Sequence, residues 1–114
     1  MYKLIHNNRC SKSRECKKTL DSKEINYKTI EYKKKKLTKN QLLEIINNLE
    51  DSIDSIIRKN EKEYIDSSFD VNNKIELIDF LHNFPNCIQR PIFFDGTKYI
   101  ICRPPNKILS YILE

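Results

Sequence analysis

Three consecutive segments at the start of the chain leave it little freedom of fold. Tyr2 to Ile5 is an extended apolar run, Ser11 to about Lys23 reads as a helix, and Ile25 to Tyr32, rich in β-branched and aromatic residues, reads as a strand. Two strands joined by a helix make a βαβ unit, whose crossover is right-handed almost without exception. On the helix Cys16, Thr19 and Leu20 lie at i, i+3 and i+4 and share a face toward the core. The turn between the first strand and the helix runs His6-Asn7-Asn8-Arg9-Cys10-Ser11-Lys12-Ser13-Arg14-Glu15. It sets Cys10 near the positive end of a helix dipole, where an anion is stabilised.

A thiolate is such an anion. A free cysteine has a pKa of about 8.5, and a helix N-terminus or a neighbouring cation lowers it. Lowering it by two units takes about 2.7 kcal/mol, whereas a dipole alone supplies roughly 0.3–1 kcal/mol. Hydrogen bonds and nearby positive charge must supply the remainder, and His6, Arg9, Lys12 and Arg14 lie within one short turn of the sulfur in sequence. The bland alternative is a cysteine used as a small core hydrophobe; the helix-start position beside cations favours a reactive thiol.

Further along, Thr38-Lys39-Asn40-Gln41 is a capping box that starts a helix carrying Leu42, Ile45, Ile46 and Leu49 on one stripe. Asp51 to Ile57 and Asn60 to Ile65 read as two short helical turns with Arg58 at their junction. Asn72 is expected to cap a helix in which Ile75, Ile78, Leu81 and His82 line up, ending at Pro85. His82 is expected to be structural. Pro91 to Phe94 and Thr97 to Ile101 flank Asp95-Gly96, the two-residue hairpin signal of a type I′ turn. Pro104-Pro105 then opens a helix at the position where a missing N–H is harmless, with Ile108, Leu109 and Ile112 facing the sheet. The order predicts one α/β domain over residues 1–114, a thioredoxin-like four-stranded mixed sheet flanked by helices, with 38–84 as a helical insertion.

At 114 residues the chain can bury a core of its own. No apolar run approaches the roughly 20 residues that span a bilayer, and Lys3, His6 and Arg9 break up the N-terminal apolar residues, so neither a membrane segment nor a signal peptide is expected. A cytoplasmic monomer is the default, with Cys10, Cys16, Cys87 and Cys102 as reduced thiols. None of their spacings is Cys-x-x-Cys, so no zinc site is expected. The net charge of +5 and the run Lys33 to Lys36 invite a nucleic-acid reading. With no interleaved aromatics and no recognition helix after it, the run reads instead as a solvated loop. A positive field also suits a small anionic substrate. The single glycine, Gly96, excludes Gly-rich phosphate loops.

The thiol spacing is informative for what it lacks. A dithiol enzyme of the thioredoxin type has its resolving thiol where Ser13 stands. Ser13 can only hydrogen-bond the sulfur or cap the helix. Cys16, six residues on, lies roughly 240° around the helix from Cys10. Alternation along the chain aims Cys102 and Arg103 to opposite faces, and Cys87, in the loop before Arg90, has no assignable role. An external thiol is therefore expected.

His-Asn-x-x-Cys-x-x-Ser-Arg at residues 6–14 resembles the active-site loop of the glutaredoxin-coupled, ArsC-type arsenate reductases of the thioredoxin superfamily. The resemblance continues in family order at Ile57-Arg58-Lys59-Asn60, Gln89-Arg90-Pro91-Ile92 and Cys102-Arg103-Pro104-Pro105. One departure is Asn8, where the family commonly has proline, which bears on the rigidity of the loop. The resemblance implies that Cys10 is the nucleophile, that His6 and Arg14 support its thiolate, and that Pro91 is a cis-proline facing it. It also implies that Arg58, Arg90 and Arg103 converge on the oxyanion. Guanidinium forks match tetrahedral oxyanions bidentately and never lose their charge.

The implied reaction uses arsenate as substrate, glutathione as co-substrate and glutaredoxin as partner, with no bound cofactor, metal or nucleic acid. Two other readings compete with it. One is a glutathione-dependent thiol–disulfide oxidoreductase of the same fold. The other is a non-enzymatic regulator similar to the Spx type, which binds RNA polymerase but typically carries a Cys-x-x-Cys switch absent here.

Overall fold

In the computed structural model, which describes residues 1–112, the first 31 residues form the βαβ unit: β1 (Tyr2–His6), α1 (Ser11–Ser22) and β2 (Tyr27–Glu31). The two strands pair in parallel, from Tyr2 opposite Tyr27 to His6 opposite Glu31. Strand β2 starts two residues later than Ile25 because the helix end uses the intervening backbone. Ile25 N–H donates to Leu20 O and Glu24 N–H to Asp21 O, a Schellman closure with Glu24 in the left-handed region at φ 56°.

Helices α2 (Lys39–Asn47), α3 (Lys62–Ile65) and α4 (Lys74–Asn83) follow before the chain re-enters the sheet. The capping box at Thr38 and Gln41 is formed in both directions. Of the two short turns read from the sequence, the first is a 3₁₀ turn over Ile53–Ile56 and the second is α3. Helix α4 corrects the sequence reading. Asn73, not Asn72, is its N-cap, accepting from the Ile75 and Glu76 amides, while Asn72 N–H is held by the Asp70 side chain. The buried stripe is Leu77, Ile78, Phe80 and Leu81, and Ile75 is 74% exposed. The Phe80 ring stacks on Phe69, a contact from outside the helix that turns its face away from Ile75.

Strand β3 (Ile92–Phe94) pairs antiparallel with β1, and β4 (Tyr99–Ile101) with β3, giving the order β2-β1-β3-β4. The hairpin loop is shifted by one residue from the expected Asp95-Gly96 and is of another type. Asp95 N–H donates to Lys98 O, so Gly96 and Thr97 form the loop. Gly96, at φ 103°, is its one left-handed residue, where type I′ needs two. The Asp95 carboxylate accepts from the Thr97 and Lys98 amides, which takes those residues out of the ladder and shortens β4. The last segment, Pro105–Tyr111, winds as a 3₁₀ helix with Pro105 in its first turn.

Alternation along the strands divides the core. Leu4, Phe93, Ile100 and Cys102 pack with Cys16, Leu20, Ile108 and Ile112 under α1 and the C-terminal helix. Ile5, Ile92, Tyr99 and Ile101 face α2, α4 and the segments between them. One consequence positions the site. The ends of β1, β2 and β4 and the start of β3 all lie at one edge of the sheet. Cys10, Tyr32, Arg90 and Arg103 leave the sheet there.

Candidate active site

Cys10 is the N-cap of α1, with extended backbone at φ −93° and ψ 122° and no side-chain cap. Its N–H donates to Asn7 O at 3.0 Å, and its carbonyl accepts from Arg14 N–H at 3.0 Å. Its own side chain is thus aimed at the free amides of the first turn. Partial burial pushes the thiol up. The N–H groups of Ser13 and Lys12 and the Arg90 guanidinium outweigh that, and the Cys10 pKa lies below its ordinary value. The sulfur is partly accessible, whereas Cys16, Cys87 and Cys102 are fully buried.

The loop around the sulfur is tied by side chains that do not touch it. His6 is buried, 1% exposed, and lies 2.6 Å from Ser13 Oγ through Nδ1 and 3.3 Å from Asn8 Oδ1 through Nε2. A neutral ring protonated on Nε2 satisfies the whole network. The Ser13 hydroxyl donates to Nδ1 and accepts from Asn7 N–H at 3.1 Å, and Nε2–H donates to Asn8. Burial lowers the His6 pKa, which favours this neutral form. Two expectations change. The Ser13 hydroxyl neither bonds the sulfur nor caps the helix, because its oxygen bridges strand β1 to the loop; only its backbone N–H serves the thiolate. Arg14 Nη1 donates to Asn8 O at 3.0 Å, so Arg14 braces the loop. Asn8, standing where the resembled family commonly has proline, is held from both sides by His6 and Arg14.

The three arginines gather around the Gln89–Arg90 segment. An isolated bridge pairs Ile57 with Ile88, and Arg58 N–H donates to Cys87 O at 2.8 Å. This carries Arg58 to Gln89, whose Oε1 accepts from Nη1 at 3.4 Å, while Nε pairs with Glu61 at 3.2 Å. Arg90 Nη1 donates to Asn86 O at 3.2 Å. Arg103 Nη1 donates to Arg90 O at 2.8 Å. Of the three, Arg90 is the one that faces the Cys10 sulfur. The Arg90–Pro91 peptide is cis, and Pro91 leads directly into β3. Cys102, beside Arg103, points the other way into the core, where it meets Cys16.

A four-stranded mixed sheet with a parallel βαβ start, an antiparallel hairpin and a cysteine at the head of its first helix defines a thioredoxin-like α/β protein. The narrower grouping follows from comparison. The ArsC family model matches residues 5–111, and the chain belongs to the ArsC family. It is 31% identical over 114 residues to the arsenate reductase of Haemophilus influenzae, covering 96% of this chain and 97% of that protein. It is 29% identical to an arsenate reductase of Escherichia coli, covering 96% of this chain and 79% of that one. Its structure superposes on the arsenate reductase from Vibrio cholerae with a TM-score of 0.84 at 25% identity, covering 97% of both chains.

Proposed function

We propose that this chain is an arsenate reductase, an oxidoreductase that uses Cys10 as nucleophile and takes its reducing equivalents from external thiols. The single observation that carries this reading is the pairing at Cys10. One accessible thiol with a lowered pKa faces Arg90, while every other thiol is buried. An anionic nucleophile and an anionic substrate repel each other, and fixed cations at the site of reaction offset that repulsion. Family membership and relatives named as arsenate reductases point to the same oxyanion.

The chemistry then follows from the thiols available. The Cys10 thiolate attacks As(V), an S–As bond forms, and hydroxide leaves, taking up a proton as water. Arg90 lies beside the sulfur where the oxyanion must sit, and Arg58 and Arg103 flank it through Gln89 and the Arg90 carbonyl. Glutathione thiolate next attacks the Cys10 sulfur. The S–As bond breaks with its electron pair on arsenic, giving arsenite and a Cys10–glutathione mixed disulfide. Glutaredoxin attacks the glutathione sulfur and frees Cys10. The two electrons come from two thiols, and only one of them belongs to this chain.

The test is arsenite release from arsenate by the purified protein. With glutathione and glutaredoxin present, turnover is expected; with arsenate alone, no arsenite and no intramolecular disulfide. Trapping before glutaredoxin is added should give a single glutathione adduct on Cys10 by intact mass. Stoichiometric arsenite with a disulfide from Cys10 to Cys16, Cys87 or Cys102 would overturn the external-thiol mechanism. No arsenite under any thiol supply would overturn the arsenate reading.

A further inference from the structure

Among the described residues, two buried side-chain polar atoms lack any hydrogen-bond partner: Tyr32 Oη and Arg90 Nε. Other tips of similar depth are satisfied, as Ser13 Oγ is by His6 and Asn7, and the Tyr99 hydroxyl is by Glu44. An orphaned buried donor costs about 1–3 kcal/mol, a cost that phenylalanine would avoid at Tyr32. The apolar explanation, a core tyrosine packed for its ring alone, accounts for the burial and leaves the hydroxyl unexplained.

The two orphans share an address. Tyr32 follows Glu31, the last residue of β2, which is paired with His6 at the end of β1. Arg90 precedes Pro91 and β3, on the other side of β1. They therefore flank the end of β1 from opposite sides, with the Cys10 loop rising between them. Tyr32 is 2% exposed, and its hydroxyl lies beside the Asn7 side chain, outside strict hydrogen-bond geometry, and within electrostatic reach of Arg90, Arg58 and the Cys10 sulfur. Burial raises its pKa, so the hydroxyl keeps its proton at neutral pH. Asn7 does not take that proton, since its side chain favours the ionised hydroxyl, as a hydrogen-bond donor to the oxygen does. A retained proton with no acceptor, beside an unpartnered guanidinium N–H and a thiolate, describes a place for an anion's oxygen atoms.

We propose that Tyr32 is an oxyanion-binding residue of this site, its hydroxyl donating a hydrogen bond to an oxygen of the tetrahedral anion held over Cys10, with Arg90 Nε donating to the same anion. This rests on the arsenate-reductase reading and adds a ligand from just past β2 to a site otherwise built from the head of α1, Arg58, the approach to β3 and the segment after β4. No proton transfer is assigned to Tyr32. Its hydrogen bond serves the oxyanion and its Cys10 adduct, and a mixed disulfide, which carries no such oxygen, has no use for it.

The test is Tyr32→Phe, which keeps the ring and removes the donor. Three readouts are taken on the full chain: kcat/KM for arsenate, thermal stabilisation by arsenate, phosphate or sulfate, and the rate of Cys10 alkylation by iodoacetamide across pH. A hydrogen bond to a charged group predicts a loss of roughly ten- to hundredfold in kcat/KM. Stabilisation by the oxyanions should fall in step, while the unliganded melting temperature stays equal or rises and the alkylation profile does not move. Unchanged kcat/KM and unchanged oxyanion stabilisation would overturn the proposal. An alkylation midpoint shifted upward by the same factor would also overturn it, assigning the hydroxyl to the thiolate. If phosphate or sulfate stabilises the parent protein through Tyr32 but arsenate is not reduced, the oxyanion site stands and the arsenate reading falls. If no oxyanion stabilises the parent protein, both fall.

Discussion

Cys10 and Cys102 lie at the same edge of the sheet, yet the fold gives their thiols opposite character. Cys10 heads α1, with the Lys12 and Ser13 amides and the Arg90 guanidinium around its sulfur, and its pKa is lowered. Cys102 follows β4 but turns inward, where the neighbouring Cys16 thiol and burial push its pKa far up. Cys87, at the end of a 3₁₀ turn over Pro85–Cys87, is likewise pushed up to about 11 by burial. Desolvation acts on all three; only at Cys10 do fixed donors exceed it. Nearness to this edge of the sheet is therefore not what lowers a thiol's pKa here. A sulfur must also be given donors that stay in place when it loses its proton.

The strongest way to break this contrast is to exchange the thiols for hydroxyls. Cys10→Ser is expected to abolish arsenate turnover, whereas Cys16→Ser, whose hydroxyl can keep the bond that Cys16 Sγ makes to Pro105 O at 3.4 Å, should retain most of it. Alkylation followed by peptide mapping should label Cys10 first and at a pH below the roughly 8.5 of a free cysteine. Equal labelling of all four thiols at pH 6 would erase the distinction.

Next in size is Arg90→Ala, expected to cost about 1.5–3 kcal/mol of oxyanion binding, the range for hydrogen bonds to charged groups. It should also raise the pH at which Cys10 alkylates. Arg58→Ala and Arg103→Ala should leave that pH nearly in place, since their guanidinium groups are engaged with Glu61, Gln89 and the Arg90 carbonyl. Lysine at position 90 should rescue only in part, because the fork is lost. Kinetics unchanged by alanine at all three positions would make the arginines structural.

A smaller effect should appear as a pH dependence of stability. Burial holds the folded His6 pKa below its usual 6.5. Between the folded value and 6.5 the unfolded chain binds the extra proton, so stability rises with pH there and is lost as pH falls through that window. Thermal melts should show this acid-side decline, and His6→Gln should flatten it. A decline of equal steepness in the variant would remove His6 as its source. Smallest of all, Asn8→Ala removes the acceptor for His6 Nε2–H and should cost about 0.5–1.5 kcal/mol, read as a lower denaturation midpoint with the Cys10 alkylation pH unmoved.

The local features of this chain were legible where one segment answers to its own residues. The βαβ start, the Thr38 capping box and the strand–turn–helix that puts Cys10 at a helix head depend on patterns a few residues long. The misreadings have local competitors or distant partners as their cause. The Asp95 carboxylate took the amides of Thr97 and Lys98 out of β4, and Phe69, outside α4, helped decide which face of that helix is buried. His6, Ser13 and Arg14 were legible as members of the Cys10 loop but not in their contacts, because which polar atom meets which depends on how β1 and the loop close on each other.

The sequence by itself determined the family, the thioredoxin-like class, the cysteine at the head of the first helix and the want of a second thiol at Ser13, since each rests on residue type and on spacing and order along the chain. Only the tertiary structure decided the rest. It brought Arg90 to the sulfur, buried Cys16 against Cys102, and left the Tyr32 hydroxyl without a partner near Arg90 and the Cys10 sulfur. Those are contacts between segments separated by 22 to 86 residues, and their geometry exists only once the order β2-β1-β3-β4 gathers the strand ends at one edge. A hydrogen bond is settled within a few tenths of an ångström, a precision that periodicity in a sequence does not carry.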